Sequence, residues 1–157
     1  MELWELMARE GIRDLVARYN ANGDSGRFEE MLKVFADDAV MELVSDEGTV
    51  RRYEGIAQVA TIFTDTKAGW DVSVRPTASR HHVRHFTATH QIDLLDEEHA
   101  RGRCYFLVIM GHGVDHWGRY IDEYGVRGGR WVITQRRALS DGRVDDSSRA
   151  QASGPDD

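Results

Sequence analysis

Apolar residues recur at helical spacing near the start of the chain: Leu3, Trp4, Met7, Ile12, Leu15, Val16 and Tyr19. Side chains three and four apart share one helical face, so the pattern predicts a helix over 3–19. Gly11 falls inside it. A glycine there costs about 1 kcal/mol against alanine, and the expectation is a break between two short helices. "NANGDSG" (20–26) gathers turn formers and ends the helix. "RFEEMLKVFA" (27–36) places Phe28, Met31, Leu32 and Phe35 on one helical face, with Ser25 as a candidate cap. "DDAVMELV" predicts a turn and a short strand, and "EGTVRRYEG" a hairpin or second strand. "IAQVATIFTDT" (56–66) predicts a third short helix carrying Ile56, Val59, Ala60 and Phe63 together.

After Pro76 the period changes. "SRHHVRHFTATHQIDLL" (79–95) partly alternates and is rich in Thr, Val and His, as strands are. "HARGRCYFLVIMGHG" (99–113) is a strand whose part from Cys104 to Met110 is apolar on both faces, so both faces are covered. "HWGRYIDEYGVRGGRWVITQRRAL" (116–139) reads as a hairpin turning at "RGG". From Asp141 onward bulky apolar residues almost vanish. That predicts one domain over 1–140 and a disordered tail over 141–157. Helices followed by hairpin-linked strands predict an α+β fold, with helices packed on one face of an antiparallel sheet. A strongly curved sheet of this kind leaves a pocket between its concave face and the helices.

Composition narrows the function classes. The chain has 157 residues, of which 41% are apolar, enough for a real core. Its formal charge of −7 repels phosphate backbones, which disfavours nucleic acid as a partner. No apolar run approaches the roughly 20 residues that cross a bilayer, so no membrane partner is expected. "MELWELMARE" sets acidic residues ahead of apolar ones, unlike a secretory signal. The single cysteine, Cys104, fits a reducing cytoplasm and reads as buried packing.

"RHHVRH" (80–85) puts three histidines into six positions. On a strand His81 and His85 share a face but stand about 13 Å apart, too far to chelate one ion unaided. His81 and His82 point to opposite faces. There is no HExxH and no cysteine pair, and His112 and His116 are split by a Gly-rich turn, so no metal is expected. A wet strand face accommodates His82, Arg84 and His90, and Arg80 as a solvated arginine. Proton transfer needs more: an imidazole whose tautomer a carboxylate fixes. Asp24, just after the first helix, is the candidate carboxylate, though an Asp in "GDSG" also serves as a turn former. Spacing alone does not pair it with His81. Tyr19, Tyr120 and His85 are candidate polar contacts. Phe35, Met41, Trp70, Phe106 and Met110 are candidates for an apolar wall, and each also reads as ordinary core.

Taken in order, "IRDLVARYNANGDSGRFEEMLKVFADDAVMEL", "YEG", "RHHVRH" and "YIDEYGVRGGRWVITQRRAL" resemble the SnoaL-like members of the NTF2-like superfamily over roughly residues 8–140. The branch is that of scytalone dehydratase, hexachlorocyclohexane dehydrochlorinase, bile-acid dehydratase and the β subunits of ring-hydroxylating dioxygenases. The resemblance implies a cone of helices on a curved, mixed, mostly antiparallel sheet that encloses a pocket. It implies a dyad of Asp24 and His81, with His81 as general base and Asp24 orienting it; Tyr19 or Tyr120 reads as the donor to a developing oxyanion. The second pocket histidine of scytalone dehydratase falls near Met110, with His112 one same-face step further, and its water-activating tyrosine falls near Leu43. The implied activity is a cofactor-independent dehydration, elimination or proton shift on a cyclic, polyketide- or steroid-like molecule. A non-catalytic binding protein and a structural oxygenase β subunit are the alternatives. A homodimer or homotrimer is expected.

Overall fold

The computed structural model describes residues 1–73, 83–145 and 147, with the backbone alone over 65–73. In chain order the elements are α1 (Leu3–Asp24), α2 (Phe28–Leu32), β1 (Phe35–Val44), β2 (Val50–Glu54), α3 (Ile56–Ser73), β3 (Arg84–Leu94), β4 (His99–Met110), β5 (Gly113–Arg127) and β6 (Arg130–Arg143). The strands form one sheet in the order β2-β1-β6-β5-β4-β3. Among the described residues only the β1–β6 pairing is parallel, so the sheet is mixed and mostly antiparallel. α1 lies against β3 and β6, and α3 against β1. The α+β architecture read from the sequence is therefore the observed one.

Several boundaries differ from the sequence reading, each for a local reason. α1 runs unbroken through Gly11, because the glycine faces a ring: a Cβ there would stand 3.2 Å from Trp131 Cδ1. The helix also runs on to Asp24. It stops where Gly26 takes a left-handed φ of 69°, and Arg27 N–H then donates back to Asn22 O at 2.9 Å. α2 is only five residues long, and Phe35 opens β1 opposite Ile133 instead of extending that helix. α3 continues past residue 66 to Ser73, and β6 continues past residue 140 to Arg143, with Ser147 buried beyond it. The "RGG" hairpin turns at Gly128 and Gly129, both at positive φ.

The buried face of the sheet carries Cys104, Phe106 and Val108 from β4 and Tyr120, Asp122 and Tyr124 from β5, under Ile12, Leu15, Val16 and Tyr19 of α1. Burial pushes the Cys104 thiol up to about 12, which agrees with a packing role and removes it as a nucleophile at neutral pH. Phe106 lies over Gly118, its register partner; a Cβ at Gly118 would stand 2.7 Å from Phe106 Cζ and 2.0 Å from Leu139 O. The missing side chain is what seats that ring among its neighbours.

Candidate active site

Asp24 is the last residue of α1, and His85 is the second residue of β3. The packing of α1 on β3 brings them together although they are 61 positions apart. The carboxylate is clamped twice. His85 Nδ1–H donates to Asp24 Oδ1 at 2.6 Å, and the His85 backbone N–H donates to Asp24 Oδ2 at 2.8 Å. An ionised carboxylate only accepts, so the proton on Nδ1 is fixed and the lone pair is placed on Nε2. That nitrogen has no partner among the described residues. The Asp24 side chain is 8% exposed and that of His85 is 25% exposed, so the carboxylate is shielded while the ring keeps a route to small molecules. A carboxylate at a helix C-terminus also opposes the helix dipole, at a cost of about 0.3–1 kcal/mol.

The histidine expected beside Asp24, His81, lies outside the described residues, as do Arg80, His82 and the side chain of Trp70. Among the described residues, it is His85, read from the sequence as a lining residue, that meets Asp24. The other candidates fall on the buried inner layer. The Tyr19 ring meets Phe35, Tyr120 and Phe63 edge-on at 5.7, 5.8 and 6.2 Å. Phe106 stacks on Tyr120 at 4.8 Å and reaches the His85 ring at 6.3 Å. Met41 is buried in register with Arg136, and Met110 packs at the edge of the core. Tyr120 donates its hydroxyl to Asn20 Oδ1 at 3.2 Å, and burial holds its proton far more tightly than in a free phenol.

Arg136 was not among the sequence candidates, yet it is the buried cation of this layer. Its Nε and Nη2 donate to the two oxygens of Asp122 at 2.9 and 2.7 Å. Its guanidinium lies 4.3 Å from the Tyr19 ring centroid and 4.1 Å from that of Tyr120. Among the described residues its Nη1 is buried with no hydrogen-bond partner. A buried donor left open costs about 1–3 kcal/mol. Among the described residues, no three His, Cys, Asp or Glu side chains are arranged to hold a metal ion.

Behind Arg136 runs a polar chain. Tyr124 O–H donates to Asp122 Oδ2 at 2.9 Å, and His90 Nε2 meets the Tyr124 hydroxyl at 3.3 Å. Burial lowers the proton affinity of His90; Arg13 and Arg136 add to this, and Asp122 opposes it. The unfolded chain therefore binds the proton first as pH falls, and folding stability drops with it. Comparing wild type with His90→Gln by urea unfolding, the stability difference is expected to decline between about pH 7 and pH 5 and to be flat above. A difference that does not change with pH would contradict a histidine held neutral by burial.

Comparison with known proteins places this geometry. The model of the SnoaL-like domain family matches residues 4–137. The chain belongs to the SnoaL-like family. No functionally curated protein matches its sequence. The SnoaL-like chain is similar to three solved structures. The first is a protein of Novosphingobium aromaticivorans provisionally assigned as an aromatic-ring-hydroxylating dioxygenase β subunit (TM-score 0.72, 17% identity, 89% of this chain and 93% of that one). The second, from the same organism, is provisionally assigned as a scytalone dehydratase (0.71, 19%, 92% and 91%). The third is a hexachlorocyclohexane dehydrochlorinase of Novosphingobium barchaimii (0.69, 17%, 92% and 93%). At these identities the likeness is one of fold, and the chemistry rests on this chain's own residues.

Proposed function

We propose that this SnoaL-like chain is a cofactor-independent lyase or isomerase acting on an apolar, cyclic small molecule such as a polyketide- or steroid-like hydroxy-ketone. The contact between Asp24 and His85 carries the reading. His85 Nε2 takes a proton from carbon, and Asp24 holds the ring in the required tautomer and stabilises the imidazolium that forms. Arg136 Nη1 supplies a charged donor to the oxyanion that develops as the proton leaves. Phe106, Tyr19 and Tyr120 offer the apolar surface. Tyr120 itself is a poor base or acid, because its proton is tightly held and engaged with Asn20. A panel of cyclic β-hydroxy ketones, some deuterated at the α-carbon, tests the reading by the absorbance of the enone product. Turnover with a primary isotope effect, lost in His85→Gln, supports it. Loss in His81→Gln with His85→Gln active would move the base to His81, as the family resemblance implies. Binding without turnover would make the chain a binding protein, and co-purification in a complex with an oxygenase would make it a structural subunit.

The same reading includes self-association as a homodimer or homotrimer. Phe86, Leu107 and Trp117 stand in register across β3, β4 and β5 on the outer face of the sheet, with Phe86 and Trp117 exposed. A continuous apolar row of this kind suits contact with a second copy. Trp117→Glu is expected to shift the light-scattering mass to that of a monomer; an oligomer that persists unchanged would place the contact elsewhere.

A further inference from the structure

An oxyanion donor works in one orientation, since it must already point at the charge when the charge forms. The Arg136 guanidinium therefore needs something that fixes its plane. We infer that His90 is a positioning residue, which through Tyr124 and Asp122 holds the Arg136 guanidinium in place for the reaction. This rests on the reading of Arg136 as the oxyanion donor.

The first observation is how His90 reaches the inner face. β3 and β4 pair evenly up to Ala88↔Tyr105 and resume at Gln91↔Arg103. Thr89 and His90 together face Cys104, so one residue is extra, a β-bulge. Even pairing would set His90 opposite the exposed Arg103, which instead donates to Gln91 Oε1 at 3.0 Å. The bulge turns on Thr89, whose φ is 55°; among the described residues no other non-glycine has a positive φ. A β-branched side chain rarely adopts that backbone, and it persists only where the surroundings enforce it.

The second observation is reach. Tyr124 on β5 and His90 on β3 are separated by β4. Gly102 of β4 permits the crossing: a Cβ there would stand 3.0 Å from Tyr124 Cε2 and 2.9 Å from Gln91 O. With no side chain in the way, the Tyr124 ring lies across β4 and its hydroxyl meets His90 Nε2 at 3.3 Å.

The third is the direction of the hydrogen bonds. Asp122, ionised beside Arg136, only accepts, so the Tyr124 O–H points to its Oδ2, at 2.9 Å. The phenol oxygen then accepts, and the N–H that meets it is that of His90 Nε2. Burial lowers the proton affinity of His90, so at about pH 7 the ring is neutral and carries its one proton on Nε2. Asp122 Oδ2 also receives Arg136 Nη2 at 2.7 Å, and Oδ1 receives Arg136 Nε at 2.9 Å. The tyrosine fixes the rotation of the carboxylate, and the two-pronged contact fixes the plane of the guanidinium and so where Nη1 points. Bonds in such a chain strengthen one another, so a donor at its far end is felt at Arg136. Asp122 and Arg136 are wholly buried while His90 is half-buried, so His90 is the link that can be changed without opening the core.

The test reads the guanidinium directly and turnover in parallel. With isotopically labelled arginine, a guanidinium locked on a carboxylate shows separate Nη resonances by NMR. Those of Arg136 are assigned by their absence when Asp122→Leu and Arg136→Met are combined. His90→Leu, which removes the donor, is expected to broaden or merge them; His90→Gln keeps an N–H and should leave them separate. For conversion of 3-hydroxycyclohexanone to the enone, His90→Leu should lower kcat about three- to tenfold, the size of one hydrogen bond, with KM unchanged. His90→Gln should recover it. In a Tyr124→Phe background, where the link is already cut, His90→Leu should lower kcat no further; a further fall overturns the route through Tyr124. Arg136 resonances unchanged in His90→Leu overturn the inference, whatever the turnover. Resonances that merge while kcat holds support the link and overturn the oxyanion role it serves. A wild-type protein without turnover overturns the reaction reading, and the resonances still decide the link.

Discussion

Replacing His85 by glutamine is expected to lower kcat/KM about 10³-fold, within the range of about 10²–10⁴ typical of a positioned general base. Glutamine keeps polarity and rough size but offers no basic nitrogen. Asp24→Asn is expected to cost about 10², through a different route. Asp24 accepts two N–H donors with two oxygens, one from the ring and one from the His85 backbone. An amide has one acceptor. If it keeps the ring hydrogen bond, the backbone N–H of His85 faces an NH₂ and loses its partner, at about 1–3 kcal/mol. If it keeps the backbone, the ring must present a lone pair at Nδ1, and the proton moves to Nε2, where the base should be. Either arrangement removes a competent base. Stability should move little, because losing a carboxylate at a helix C-terminus regains about 0.3–1 kcal/mol. A large fall in kcat/KM with a nearly unchanged urea midpoint is therefore the expected signature. A parallel loss of both would make the pair a structural clamp.

Periodicity carried much of the architecture because core faces repeat. The apolar stripe from Leu3 to Tyr19 and the alternation after Pro76 both report which face meets the core, and both became elements. Gly11 misled because local propensity counts only backbone freedom, whereas the tertiary partner is the Trp131 ring. Phe35 misled because apolar residues at helical spacing do not say where one element hands over to the next. For the site, Asp24 was legible as a candidate carboxylate, and among the described residues it meets His85. His81 and His85 are in the same strand phase, so spacing alone does not choose which of them meets the end of α1.

Arg136 has a deeper reason for being missed. Counting back from the Gly128–Gly129 turn, even pairing sets Asp122 against Gln135. The observed register slips between Glu123 and Tyr124, so that Asp122 faces Arg136. One extra residue, Thr134, turns the guanidinium inward. A one-residue slip exchanges the faces of everything beyond it, and hydrophobic pattern alone does not report it when both faces are partly apolar. A charged pair at nearly matching positions of a hairpin, such as Asp122 and Arg136, was the available signal.

That pair also carries the largest stability effect expected here. Asp122→Asn should destabilise the fold by about 3–5 kcal/mol, the usual cost of removing one partner of a buried ion pair. Both side chains are fully buried, and Arg136 cannot lose its proton to escape the burden. Burial opposes its charge, but Asp122, with Tyr19 and Tyr120 beside it, outweighs that and raises its already high proton affinity. With asparagine there, the cation keeps one neutral acceptor and the faces of Tyr19 and Tyr120 but loses its counter-charge, and the Tyr124 hydroxyl loses the anion it donates to. Arg136→Met should cost less, because the orphaned Asp122 can take up a proton and become neutral. The double replacement Asp122→Leu with Arg136→Met should recover most of the loss, since a well-packed apolar pair of similar volume often matches a buried ion pair. Urea midpoints of the four proteins test this ordering; an Asp122→Asn penalty below about 1 kcal/mol would contradict the buried-pair account. The recovered double variant then isolates the chemistry from the fold. It keeps Asp24 and His85 but has no guanidinium to meet an oxyanion, so it should be stable and slow. A stable double variant that turns over at the wild-type rate would remove Arg136 from the reaction and leave the stability argument untouched.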